Sequence, residues 1–275
     1  RRLAYALFAV LAFVAASCFP QDPPDPGPGD PEPPDTSNDA FIQVPVFQGL
    51  TSPTNVEFAP DGRVFVAEKA GIIKTYDSLA DTTPTVTADL RAPVRSTGDH
   101  GLLGMTVDPQ YPTRPYVYVL HTWDPTGVNG DGCASGYGIN GCKTGARLSR
   151  IEVDAQGVMI GGPTTIVDDR WCYQFSSHGV GDLDFLPDGT LLVTSGEGAY
   201  WSGTDYGQHG GQQLFPPVEN LTPRNPCDDP PNGVGGPVSA TTSEGGAFRS
   251  QDVLTEGDPV SWDGALVRLD PDTGE

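Results

Sequence analysis

Residues 55–67, Asn-Val-Glu-Phe-Ala-Pro-Asp-Gly-Arg-Val-Phe-Val-Ala, form an apolar-alternating run, a Pro-Asp-Gly turn and a second run. The phrase returns tightly at 182–194 around Pro187-Asp188-Gly189. A looser version runs from Gly104-Met105-Thr106-Val107-Asp108-Pro109 to residues 116–120. Residues 71–77, 146–154 and 265–270 alternate in the same way and end on Asp, as third or fourth strands would. Period-two alternation bounded by such turns specifies antiparallel strands, and its recurrence over tens of residues specifies a β-propeller. No stretch keeps a helical period. About a dozen strands can be counted, enough for about three four-stranded blades, which is a partial propeller. The chain starts at Arg1 without Met and stops in the turn Asp-Pro-Asp-Thr-Gly-Glu, so it is expected to be part of something longer.

Arg1 and Arg2 precede an apolar run at 3–16, followed by Ser17 and Cys18. A basic start, a short apolar core and small residues make an export signal too short to span a bilayer. Ala15-Ala16-Ser17-Cys18 also resembles a bacterial lipobox, which would lipidate Cys18, with plain signal cleavage as the alternative. Residues 1–18 are therefore expected to be a lipoprotein-type signal. Residues 19–40, rich in Pro, Asp and Gly, cannot bury enough surface to fold and read as a disordered linker. The propeller part occupies 41–275. The protein is expected outside the cytoplasm, periplasmic or at the cell surface, meeting the membrane only through a lipid anchor.

A formal net charge of −21 excludes nucleic acid as a partner, because phosphate binding needs clustered Lys and Arg. With Cys18 set aside, Cys133, Cys142, Cys172 and Cys227 remain. An even number in an exported chain favours disulfides, and three connectivities are open. The simplest closes the Gly-rich loop with Cys133–Cys142 and leaves Cys172–Cys227.

One histidine stands at the mouth of the 182–194 hairpin. His178 carries the side chain whose ordinary pKa lies nearest neutrality, which suits proton abstraction. A structural role for a lone loop histidine is the alternative. Glu197 and Asp205 lie in the loop after that hairpin and offer oxygen ligands for calcium, against a simply solvated acidic loop. Tyr200 and Trp201 between them either stack on a sugar face or pack. His100, His121 and His209 read as loop or structural residues.

Gly98-Asp99-His100-Gly101-Leu102-Leu103-Gly104-Met105, then Cys172-Tyr173-Gln174-Phe175-Ser176-Ser177-His178, resemble segments of the glucose/sorbosone dehydrogenase family. Asn225-Pro226-Cys227-Asp228-Asp229, Glu244-Gly245-Gly246-Ala247-Phe248 and Asp263-Gly264-Ala265-Leu266 extend the resemblance, in order, over 41–275. The family consists of six-bladed β-propellers that oxidise an aldose at its anomeric carbon, using pyrroloquinoline quinone (PQQ) held by calcium. The resemblance implies His178 as general base, with hydride passing to the quinone. It implies a sugar and an electron acceptor as partners. It sets Asp99 on the sugar side of the pocket, and puts the quinone-gripping residues beyond Glu275, so that this chain alone would be inactive. A non-catalytic cell-surface propeller that binds carbohydrate or protein is the alternative. A lactonase-type propeller would need acidic ligands at the central channel, which the sequence does not place.

Overall fold

The computed structural model describes residues 44–123, 143–198, 227 and 261–275. The signal at 1–18, Cys18 and the linker at 19–40 lie outside them. The chain divides into two units, Arg1–Val44 and Pro45–Glu275, and the strands described below belong to the second.

Among the described residues, eleven strands form three antiparallel sheets in chain order. The first holds β1 (Pro53–Phe58), β2 (Val64–Glu68), β3 (Ile72–Tyr76) and β4 (Thr85–Asp89). The second holds β5 (Leu102–Val107), β6 (Tyr116–Trp123), β7 (Gly145–Glu152) and β8 (Thr164–Val167). The third joins β9 (Val180–Phe185), β10 (Leu191–Ser195) and β11 (Leu266–Leu269). Within each sheet every strand pairs with the next one in sequence, the up-and-down pattern of propeller blades. The chain is an all-β partial propeller, and the repeated phrase supplies the first hairpin of each blade.

The two tight turns are built alike. Gly62 and Gly189 have φ of 94° and 85°, in the left-handed region where a side chain is strained. In each, the glycine amide donates to the carbonyl three residues back, Ala59 at 2.9 Å and Leu186 at 2.9 Å. The turn aspartate accepts from the amide two residues on, Asp61 from Arg63 and Asp188 from Thr190, each at 3.1 Å. A three-residue loop closed by a left-handed glycine is a preferred hairpin geometry, and the Asx bond holds it.

Alternation decides the packing. Phe65, Ile73 and Ala88 of the first blade meet Met105, Val117, Val119 and Ile151 of the second. Tyr118, Leu120 and Leu148, on the opposite face of that second blade, meet Leu183, Leu191, Val193 and Leu269 of the third. The second blade is therefore buried on both faces, and β6 is apolar almost throughout. Full burial of one such side chain contributes about 1.5–3 kcal/mol, so these two seams hold the blades together.

The first strands converge. Thr54 Oγ1 donates to the Leu102 carbonyl at 2.6 Å, and Asn55 Nδ2 donates to Asp182 Oδ1 at 2.8 Å. A methyl on Gly104 would come within 2.7 Å of Leu183 Cδ2 and 3.0 Å of the Gly181 carbonyl oxygen, so glycine there lets β5 and β9 approach. Strands β1, β5 and β9 thus lie side by side as an inner rank, as the inner strands of a propeller do.

Candidate functional site

The loops that enter β5 and β9 meet at one end of this inner rank. Thr122, at the end of β6, anchors the first. Its hydroxyl donates to the Arg95 carbonyl at 2.8 Å and accepts from the Gly101 amide at 2.9 Å. The Asp99 amide then donates to the Ser176 carbonyl at 2.9 Å, tying this loop to the one that carries His178. A second anchor holds the start of that loop. Cys172 is bonded to Cys227, its amide faces both carboxylate oxygens of buried Asp263 at 3.2 Å, and Trp171 packs edge-on against Trp262. The Cys172–Cys227 pairing matches the expectation; Cys133–Cys142 lies outside the described residues.

His178 sits at φ 46°, a left-handed conformation that a non-glycine residue adopts only where its surroundings hold it. Asp99 Oδ2 accepts from the His178 amide at 3.4 Å, and the His178 carbonyl accepts from the Gly198 amide at 3.0 Å. One residue on, the Gly179 carbonyl accepts from the Gly196 amide at 2.7 Å. A side chain at Gly196 would strike the backbone of His178 and Gly179, so the end of β10 closes on the histidine only because glycine stands there.

This closure brings Glu197 to His178. The imidazole Nδ1 and Glu197 Oε1 form a short hydrogen bond. A carboxylate only accepts, so Nδ1 is the donor, and in the neutral imidazole this leaves the lone pair on Nε2. The side chains of His178 and Glu197 are 48 % and 32 % exposed, open to a ligand from solvent. The arrangement is an oriented imidazole base. The sequence flagged both residues but paired Glu197 with Asp205 for calcium rather than with His178. The spacing of 19 residues gives no hint of the contact, because the hairpin β9–β10 folds one onto the other.

Asp99 lies beside His178 as a backbone partner. Tyr200, Trp201, Asp205 and His209 lie outside the described residues. Among the described residues, no group of three His, Cys, Asp or Glu side chains is placed to hold a metal ion.

The two other described histidines are interior. His100 is fully buried, and burial above all, with Arg95 and Lys69 adding to it, lowers its pKa to about 3. His121 is buried in β6 with Nδ1 3.1 Å from the Thr122 carbonyl oxygen, and burial takes its pKa down to about 4. Both rings are neutral near pH 7. A carboxylate set the sequence did not single out lies on the inner rank: Glu57 of β1 faces Asp182 and Asp184 of β9. Half-buried, Glu57 is pushed up to about 7 by desolvation and then by those two neighbours.

A family model for glucose/sorbosone dehydrogenase matches residues 50–214, more than half of the chain. No curated protein matches it. Among solved structures it is similar to an oxidoreductase from Thermus thermophilus described as a glucose dehydrogenase. Identity is 28 % over 55 % of this chain and 39 % of that one, with a TM-score of 0.42. It is also similar to the PQQ-bound form of an aldose sugar dehydrogenase from Streptomyces coelicolor, 24 % identical over 72 % and 52 %, TM-score 0.45. A third is the apo-form of the soluble aldose sugar dehydrogenase from Escherichia coli, 18 % identical over 60 % and 43 %, TM-score 0.42. The chain spans between 39 % and 52 % of the length of these three proteins.

Proposed function

Since the chain belongs to the glucose/sorbosone dehydrogenase family, we propose that the protein it represents is a PQQ-dependent dehydrogenase of aldose sugars in which His178 is the general base. The observation that carries this reading is the Nδ1–Oε1 bond between His178 and Glu197. In the oxidation, the anomeric hydroxyl loses its proton, the anomeric carbon loses hydride, and a lactone results. His178 Nε2 takes the proton. Glu197 keeps the ring in the tautomer that leaves Nε2 unprotonated, and stabilises the imidazolium that forms. Asp99 and the Gly196–Gly179 contact hold the backbone that carries the ring at the mouth of the β9–β10 hairpin. Bound PQQ would supply the two-electron oxidant, and an external acceptor would then collect the electrons. The described residues fit the proton-removing half of this chemistry. Two carboxylates beside the imidazole are no grip for a quinone that is itself a polycarboxylate, so that grip belongs to other residues. Calcium is proposed with the quinone, by family, and so is an exported, lipid-anchored setting from residues 1–18.

The test uses the whole protein reconstituted with PQQ and calcium, with D-glucose and other aldoses as substrates and a redox dye as acceptor. His178→Ala is expected to lower kcat by about 10²–10⁴-fold, the usual worth of a positioned base. Glu197→Gln, which leaves the ring in place with a weaker partner, is expected to cost about 10–100-fold. Undiminished turnover by His178→Ala would remove His178 from the reaction. Sugar binding without dye reduction by the wild-type protein would favour a non-catalytic carbohydrate-binding propeller instead.

A further inference from the structure

Two buried rings lie directly beneath the His178–Glu197 pair, and the proton chemistry above them does not use either. His100 and Tyr173 are both fully buried, with ring centroids 5.5 Å apart and planes tilted by 53°. Each supports the glycine that follows one member of the pair. A methyl on Gly179, after His178, would come within 2.8 Å of His100 Cδ2 and 3.3 Å of Thr122 Cγ2. A methyl on Gly198, after Glu197, would come within 2.7 Å of Tyr173 Cδ1 and 3.2 Å of its Cα and Cβ, and Gly198 has a φ of 67°. The Tyr173 hydroxyl shares a 2.6 Å hydrogen bond with Ser195 Oγ, and Ser195 Oγ donates to the Gly196 carbonyl at 3.0 Å. The peptide chains of both members therefore rest on ring surfaces that touch each other.

We propose that His100 and Tyr173 form a single buried floor that positions the reacting pair, His100 acting on His178 through Gly179 and Tyr173 acting on Glu197 through Gly198. The proposal rests on the reading of His178 as base, but the floor also makes a claim about geometry that holds without turnover. A bare backbone packed against a ring edge has little room to slide, so the floor sets the height and azimuth of each peptide. The His100 ring is neutral near pH 7 and brings no charge under the pair. Its flat edge fits beneath Gly179 where a branched side chain of similar volume would not. Displacement of a reacting group by about 1 Å costs on the order of 10²-fold in rate, so two positioning rings so close to the base bear directly on kcat.

The experiment is a size swap between floor and glycine in the whole protein. Gly179→Ala is expected to lower kcat for D-glucose by about 10–100-fold while KM changes less than about threefold, since sugar binding is not what the methyl disturbs. Adding His100→Ser, which clears space for that methyl, is expected to restore most of the lost kcat. Tyr173→Phe keeps the ring and is expected to keep most of the activity, whereas Tyr173→Leu is not. A crystal structure of cofactor-free Gly179→Ala should show His178 Nδ1 and Glu197 Oε1 parted beyond hydrogen-bond distance, with the sheets unchanged. If Gly179→Ala does not fold, His100→Asn, which removes ring area without a clash, is read for the same separation. An intact pair in the variant that folds, or unchanged kcat in Gly179→Ala, overturns the floor. So does a folded Gly179→Ala that His100→Ser fails to rescue. Full turnover by His178→Ala would overturn the base instead, and the crystallographic separation would still report on the floor.

Discussion

His100 and Glu57 show how strongly single groups feel this fold, and in opposite directions. His100 is neutral in the folded protein, with its pKa lowered to about 3, whereas the unfolded chain protonates it below about 6.5. The unfolded state therefore binds more protons between these values, and the folded state loses stability as pH falls through that window. By about pH 4 the loss is on the order of 3 kcal/mol. His100→Asn should flatten the acid limb of the unfolding free energy measured by denaturant titration, and an unchanged slope would show that His100 is not buried and neutral. Glu57 runs the other way. Its pKa is raised to about 7, so the folded state holds the extra proton between the ordinary carboxylate range and neutrality, and stability falls as pH rises through that window. Glu57→Gln should stabilise the protein by on the order of 1 kcal/mol at about pH 8, a value discounted because the group is only half-buried. It should do little at about pH 3.5, below both pKa values, and an equal effect at both would remove titration as the cause. Residue type was legible here but environment was not. Nothing in the letters marks His100 as interior and His178 as half-open, since both follow small polar residues in glycine-containing loops.

At the scale of strands, neighbours in sequence differ sharply. Leu191 is fully buried against the second blade, while Leu192 points to the opposite, partly open face of the third. Leu191→Ala should cost roughly 2–4 kcal/mol by urea denaturation and Leu192→Ala less than about 1, because only the first leaves a cavity between blades. Equal costs would mean that the outer face is packed as tightly as the seam. Nine of the strands are legible from alternation and turn chemistry, most clearly where Pro-Asp-Gly closes the hairpin. Strands β4 and β8 escape that reading. Thr85–Asp89 and Thr164–Val167 are short and threonine-rich, and half of their residues or so are exposed. They become strands because β3 and β7 offer unpaired edges, which is a tertiary cause.

Across the whole molecule, the Cys172–Cys227 bond ties the start of the histidine loop to a position 55 residues on. Cross-linking a loop of that length stabilises by roughly 4 kcal/mol in the chain-entropy account. Cys172→Ser together with Cys227→Ser should lower the thermal midpoint by several degrees and loosen the loop bearing His178. A midpoint shift of less than about one degree would show that Asp263 and the Trp171–Trp262 contact hold that loop unaided.

Alternation and turn chemistry by themselves determined nine of the described strands, the hairpins and the blade class, because they are local properties read from a few adjacent residues. They also put His178 at a hairpin mouth. Which groups meet that imidazole was decided only in three dimensions. Glu197 reaches His178 because β10 folds back on β9 and glycine at position 196 permits the closure, and His100 arrives against Gly179 from the loop that enters β5. Such contacts join residues tens of positions apart, and packing between blades, not local pattern, sets their distance.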